Sequence, residues 1–191
     1  MDTLVAQLPA LIGVVVGTLA TILTTTLTDR TRWRRTLAVR WDERRLDAYV
    51  AYASAVKEIH ALLFRITAAD RPGSLAHRID RETGLALLAD ADAARTKAWE
   101  KVLMLGDEAA VAAAREWREA VRQLEFFALG VTDDWERWDS AVRDVDDARD
   151  RFYVAARASL TVGGGSVAQS PWLAEGKLAP VQRDVNRVAE R

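Results

Sequence analysis

Between Thr3 and Thr28 the chain carries no Asp, Glu, Lys, Arg or His, and an arginine-rich run follows at once. As a helix, this stretch would extend roughly 39 Å, enough to cross a hydrocarbon core of about 30 Å with some tilt. Its central part, Leu8 to Leu27, holds ten large aliphatic residues. At about −0.3 to −0.6 kcal/mol each, these favour insertion by a few kcal/mol. Pro9 falls in the first turns, where a missing backbone donor costs least. A single transmembrane helix is therefore expected over residues 1–28, with membrane lipid as its surroundings. A cleavable signal peptide should start with a basic segment, whereas this chain starts Met1-Asp2-Thr3-Leu4.

The positive charge lies on the other side of the span. Arg30, Arg32, Arg34, Arg35, Arg40, Arg44 and Arg45 stand against Asp29, Asp42 and Glu43, a net +4. The positive-inside bias then places the N-terminus outside and the rest of the chain in the cytoplasm, below a plasma membrane crossed once. Trp33, with Arg30, Arg32, Arg34 and Arg35, makes an interfacial anchor, each arginine gaining about 1 kcal/mol near an anionic surface. The rest of the chain has 20 basic and 25 acidic residues. No broad basic face is left to follow a phosphate backbone, so nucleic acid is not an expected partner. Within the span, Gly13, Gly17, Thr21 and Thr25 recur every four residues. A face of small residues lets two helix backbones approach closely, and a homodimer through this face is the expected use.

The remaining 160 or so residues suit one domain, and their pattern is all-α. Tyr49, Tyr52, Val56, Ile59, Leu63 and Ile66 are spaced 3-4-3-4-3, the seam of a bundle within a helix predicted over Thr31–Thr67. Arg71-Pro72-Gly73 is a turn. A second helix is predicted over Ile79–Leu105, with Leu87, Ala91, Ala94, Ala98, Val102 and Leu105 inward and Gly84 loosening its first turn. Gly106 in the left-handed region, then Asp107 as N-cap, would stop it and start a third helix over Glu108–Leu129. That helix carries the cleanest stripe: Ala110, Ala114, Trp117, Val121, Leu124 and Ala128. Gly130 ends it. Asp133 and Glu136 make a capping box for a fourth helix, Asp134–Leu160, with Trp138, Ala141, Val145, Ala148, Phe152 and Ala155 inward. Short connections make neighbouring helices antiparallel. Gly163-Gly164-Gly165-Ser166 reads as a joint, followed by a tail that folds back on the bundle or binds a partner.

The expected organisation is thus a transmembrane helix over 1–28, an Arg/Trp-rich collar over 29–45, a cytoplasmic antiparallel bundle of about four helices over 31–160, and a Gly-rich joint with a tail over 161–191. Little in it points to chemistry. The chain has no cysteine and two histidines, His60 and His77, neither with a Glu three residues before it. That excludes the Glu-x-x-His pattern of di-iron bundles. Zincin, phosphate-loop and serine-elbow motifs are also missing. The aspartates of the fourth helix lack calcium-loop spacing, and Arg143 and Arg151 follow Asp139 and Asp147 at the distance of surface ion pairs. No catalytic residue, metal or cofactor is expected.

The apolar N-terminal helix, the Arg/Trp collar, the run Trp41-Asp42-Glu43-Arg44-Arg45-Leu46-Asp47-Ala48-Tyr49 and the Gly163-Gly164-Gly165-Ser166-Val167 sequence resemble small single-span helical membrane proteins of high-GC Gram-positive bacteria. The resemblance implies no particular activity and brings no functional residues with it. A membrane-anchored scaffold or adaptor that binds an unidentified protein partner is the expected function. The alternative is a small effector or sensor that couples the bundle to the span.

Overall fold

The computed structural model describes residues 40–71, 74–165 and 167–170. The chain divides into two compact units, Met1–Glu43 and Arg44–Arg191, and the packing below is that of the second. The expected span, its Gly13, Gly17, Thr21 and Thr25 face, and the anchor residues Arg30, Arg32, Trp33, Arg34 and Arg35 lie outside the described residues. No helix among the described residues is long and apolar enough to cross a membrane.

The described chain is all-α, with four helices and no strand among the described residues. Helix α1 covers 40–66 and tightens into a 3-10 turn, Thr67–Ala69. Helix α2 is Arg81–Leu105, α3 is Glu108–Ala128 and α4 is Trp138–Ser159, the last preceded by a 3-10 turn, Trp135–Arg137. Contacts at their ends fix the directions. Arg45 near the start of α1 donates from Nε to the Leu105 carbonyl at the end of α2, 2.9 Å. The Ile79 amide just before α2 donates to the Arg65 carbonyl late in α1. Tyr49 meets Ser159 at the end of α4, hydroxyl to hydroxyl at 2.9 Å, while Phe64 packs on Trp138 at its start. Phe127 late in α3 also packs on Trp138. The bundle therefore runs up, down, up, down.

The seam residues Tyr49, Tyr52, Val56, Ile59, Leu63 and Ile66 are each 4 % exposed or less. All six stripe residues of α3 are buried as well. Where the seam of α1 meets the other helices, one ring comes from each. Tyr52 lies 5.7 Å from Trp99 of α2, 6.2 Å from Trp117 of α3 and 5.5 Å from Phe152 of α4, centroid to centroid. Rings at these separations gain about 0.5–1.5 kcal/mol a pair beyond their burial. The Tyr52 hydroxyl donates to the Ala114 carbonyl at 2.7 Å, which satisfies the polar atom inside the core. Burial raises its pKa to about 12, against partial opposition from Arg95 and Arg118.

The helix ends follow local chemistry. Asp80 caps α2, accepting from the amides of Glu82 and Thr83, and Asp107 caps α3 through the Ala110 amide at 2.8 Å. At the opposite ends, arginines from neighbouring helices reach terminal carbonyls: Arg45 serves Leu105, and Arg81 serves Ala128 at 2.7 Å. A cation is favoured there by both the free carbonyls and the helix dipole. A third arginine, Arg71, closes the other end of α1. Its guanidinium stacks over Phe64 and Trp138, 4.8 and 4.5 Å from the ring centres, and donates to Thr67 Oγ1, the Phe64 carbonyl and Ser74 Oγ.

Several local expectations are corrected. Gly106 is extended (φ −74°, ψ 154°) rather than left-handed, because Asp107 must enter α3 as an extended N-cap. Gly130, at φ +71°, does take the left-handed form. No capping box opens α4: neither the Trp135 turn nor Trp138 has a side-chain cap, and the 3-10 turn satisfies the first donors instead. In α2 the buried set is Gly84, Leu88, Ala91, Ala98 and Val102. Leu87 is 41 % exposed and Ala94 is exposed, so in the first half Leu88 replaces Leu87 in the inward face while Ala91 is buried as expected. Gly84 sets this register. A Cβ there would meet Ile66 Cγ1 at 2.5 Å and Ile79 Cγ2 at 3.2 Å. The glycine lets α2 approach α1; it is not a weak point in the turn.

Gly84→Ala should therefore destabilise the bundle although alanine is the better helix former. Overpacking costs about 1–3 kcal/mol and the propensity gain is about 1 kcal/mol, so a net loss of about 1 kcal/mol is expected. A urea titration followed by helical circular dichroism measures it; a higher midpoint would show that Ile66 yields without cost.

Candidate protein-docking groove

Among the described residues no group of three His, Cys, Asp or Glu is placed to hold a metal ion. His60 packs edge-on against Phe64 at 4.8 Å, at the border of the bundle, and His77 is exposed in the connection before α2. The charged residues of α2 and α3 form ion-paired networks. Arg118 reaches both Asp92 at 3.4 Å and Glu125 at 3.0 Å, and Asp92 also holds Arg95 at 2.8 Å. The Asp92 carboxyl is held below its usual range mainly by its hydrogen bond from Arg95, which outweighs partial burial.

The feature that stands out is a groove of about 720 Å³ between α1 and α4. Helix α1 forms one wall through Leu46, Val50, Ala53 and Lys57. These positions are spaced 4-3-4 and flank the seam by about one residue; Ala53 is buried in the core, while Leu46, Val50 and Lys57 sit beside it. The α4 wall is Tyr153, Ala156, Arg157 and Leu160, and Tyr49 with Phe152, edge-to-face at 6.0 Å, lies beneath. Leu46 and Val50 remain 50 % and 55 % exposed. Lys57 Nζ stands 5.3 Å from the centre of the Tyr153 ring, a contact of about 0.5–1 kcal/mol at a wet site.

One end of the groove is closed by the chain itself. After Gly163–Gly165 it returns to α4, and Val167 and Gln169 complete the lining. The return is held by Asp150. Its Oδ2 accepts the amides of Gln169 and Ser170, both at 2.7 Å. Its Oδ1 pairs with Arg149 at 3.2 Å, and Arg149 also binds Asp146 at 2.8 Å. Burial alone would raise the Asp150 pKa. The donors from Ser170, Arg149 and Gln169 together outweigh it and hold the carboxyl below its ordinary value.

These residues depart from the sequence reading. Asp146 and Asp150, grouped with a solvated acidic face, are buried, while Asp139, Asp144 and Asp147 are exposed. Arg151 pairs across the bundle with Glu116 at 3.0 Å, not with Asp147 on its own helix. The groove itself was missed. Its trace in the sequence was the second apolar file Leu46-Val50-Ala53 beside the seam, wider than a two-helix contact needs.

Comparison with models of protein families, with characterised proteins and with solved structures finds no match for this chain. The groove's meaning rests on its own geometry.

Because the folded Asp150 pKa is depressed, its stabilising contribution is present above the ordinary carboxylate range and is lost as pH falls through the folded value. Asp150→Ala should remove it at neutral pH. Charged buried hydrogen bonds are worth about 1.5–3 kcal/mol, so amide-exchange protection at Gln169 and Ser170 should fall by about tenfold or more. Unchanged protection at both amides would show that the segment is held by other means.

Proposed function

We propose that this chain is a membrane-anchored helical interaction module, a binding protein rather than an enzyme. In this reading residues 1–28 span the plasma membrane once, and the arginine collar keeps the bundle on the cytoplasmic side. The Gly13 and Gly17 face pairs two spans into a homodimer. The groove between α1 and α4 receives a protein partner. The single observation behind the docking surface is the pair Leu46 and Val50. They are half exposed over a shaped apolar recess, beside a core whose other α1 positions are sealed. Grooves between helices are a standard receiver for an amphipathic helix.

A photoactivatable residue introduced at Val50 should give discrete covalent adducts with another protein in cells, and one at Val131, exposed far from the groove, should not. Equal adduct patterns from both positions would remove the groove from the function. The anchor is tested in the same cysteine-free chain. With Thr3→Cys and Gly164→Cys placed singly, an impermeant thiol reagent on intact cells should label only the first. Labelling of the second alone would put the bundle outside. Gly13→Ile with Gly17→Ile should abolish self-association in membranes.

A further inference from the structure

We infer that the partner segment is acidic: an amphipathic helix of a second protein, with carboxylates one helical turn apart beside its apolar stripe. The inference rests on the groove being the docking surface and adds the chemistry of what docks there.

Among the described residues three cationic side chains line the groove, Lys57, Arg149 and Arg157, and no carboxylate does. This is notable in a chain whose net charge is −1. Arg149 is committed to Asp146 and Asp150. The other two are not neutralised by an acid among the described residues. Lys57 rests over the Tyr153 ring, and Arg157 Nη2 donates to the neutral Gly163 carbonyl at 3.2 Å. The ammonium and the guanidinium thus stand at the edges of an apolar trough. Beside such a low-dielectric wall a carboxylate is attracted more strongly than in open water.

The positions also set a spacing. Lys57 lies level with Tyr153, and Arg157 is four residues further along α4, roughly 6 Å of helix. Carboxylates at i and i+4 on an incoming helix match that separation. On α1 the recess runs from Leu46 to Lys57, roughly 17 Å or three helical turns. That length takes apolar side chains at i, i+4, i+7 and i+11. A basic helix of the same apolar pattern would place like charges together, and charge of this kind decides partner choice more than total affinity.

The probe is a synthetic 18-residue helical peptide with leucines at i, i+4, i+7 and i+11 and glutamates at i+1 and i+5, against the same peptide with lysines at those two positions. Binding is read by fluorescence anisotropy on the full chain in nanodiscs of zwitterionic phosphatidylcholine. The glutamate peptide should bind at least about tenfold more tightly. Lys57→Glu with Arg157→Glu should invert the preference, and Leu46→Asp with Val50→Asp should abolish binding of both peptides while the helical signal stays. Equal affinity for the two peptides overturns the acidic partner and leaves the groove reading standing. Binding unaffected by Leu46→Asp with Val50→Asp overturns the groove reading itself. Binding seen only after removal of residues 171–191 assigns the groove to the chain's own C-terminal segment. Concentration-dependent association lost in Val50→Asp assigns it to a second copy. Either result overturns the proposal.

Discussion

The hydrogen bond from the Tyr52 hydroxyl to the Ala114 carbonyl is the contact on which the bundle's arrangement turns. A buried hydroxyl without a partner costs about 1–3 kcal/mol, so α1 and α3 must meet in the one register that brings these atoms together. Around that bond stand Trp99, Trp117 and Phe152, each from a different helix. A shift of one residue in any helix would separate its ring from the group. The alanines of α3 make this feasible. Ala110, Ala113 and Ala114 present so little bulk that Tyr52 can reach the backbone behind them. The cluster also shows a small cost: Trp117 Nε1 is buried with no acceptor among the described residues, its indole enclosed by Phe152 and Tyr153.

The seam of α1 and the stripe of α3 were legible because each is a regular file of large apolar residues, and a 3.6-residue helix can bury such a file only one way. In α2 the inward face was misread by one position, Leu87 for Leu88. The helix is rich in alanine on several sides, and the deciding residue, Gly84, has no side chain for periodicity to detect. Asp146 and Asp150 were invisible as core residues for a different reason. A carboxylate enters the interior only with its partners, and the partners of Asp150 include backbone amides from residues 169 and 170. No pattern of side chains along α4 encodes that. Arg151 pairing with Glu116 is similar: spacing on one helix offers a local partner, and packing supplied another.

The groove follows from how a helix can be wide on one side and narrow on the other. The seam residues of α1 satisfy α2, α3 and α4, while Leu46 and Val50 continue the apolar surface past the edge of α4. There the wall falls away at Ala156, between the larger Tyr153 and Leu160. The recess is thus made by a small residue on one helix and surplus apolar surface on its neighbour. Basic heads at its border make it unlike the sealed core beside it, and unlike the exposed face where Arg122 and Glu119 pair in solvent.

The carboxylate that holds residues 169 and 170 and the recess that Gln169 helps to line are thermodynamically linked. A ligand resting on Val167 and Gln169 while they stay bound would favour the ionised form of Asp150. It would lower that group's proton affinity by the same factor by which ionisation tightens the ligand. A ligand that had to displace the two residues would raise the proton affinity instead. The sign of proton release or uptake on binding therefore reports whether an occupant enters beside the chain's own return or in place of it.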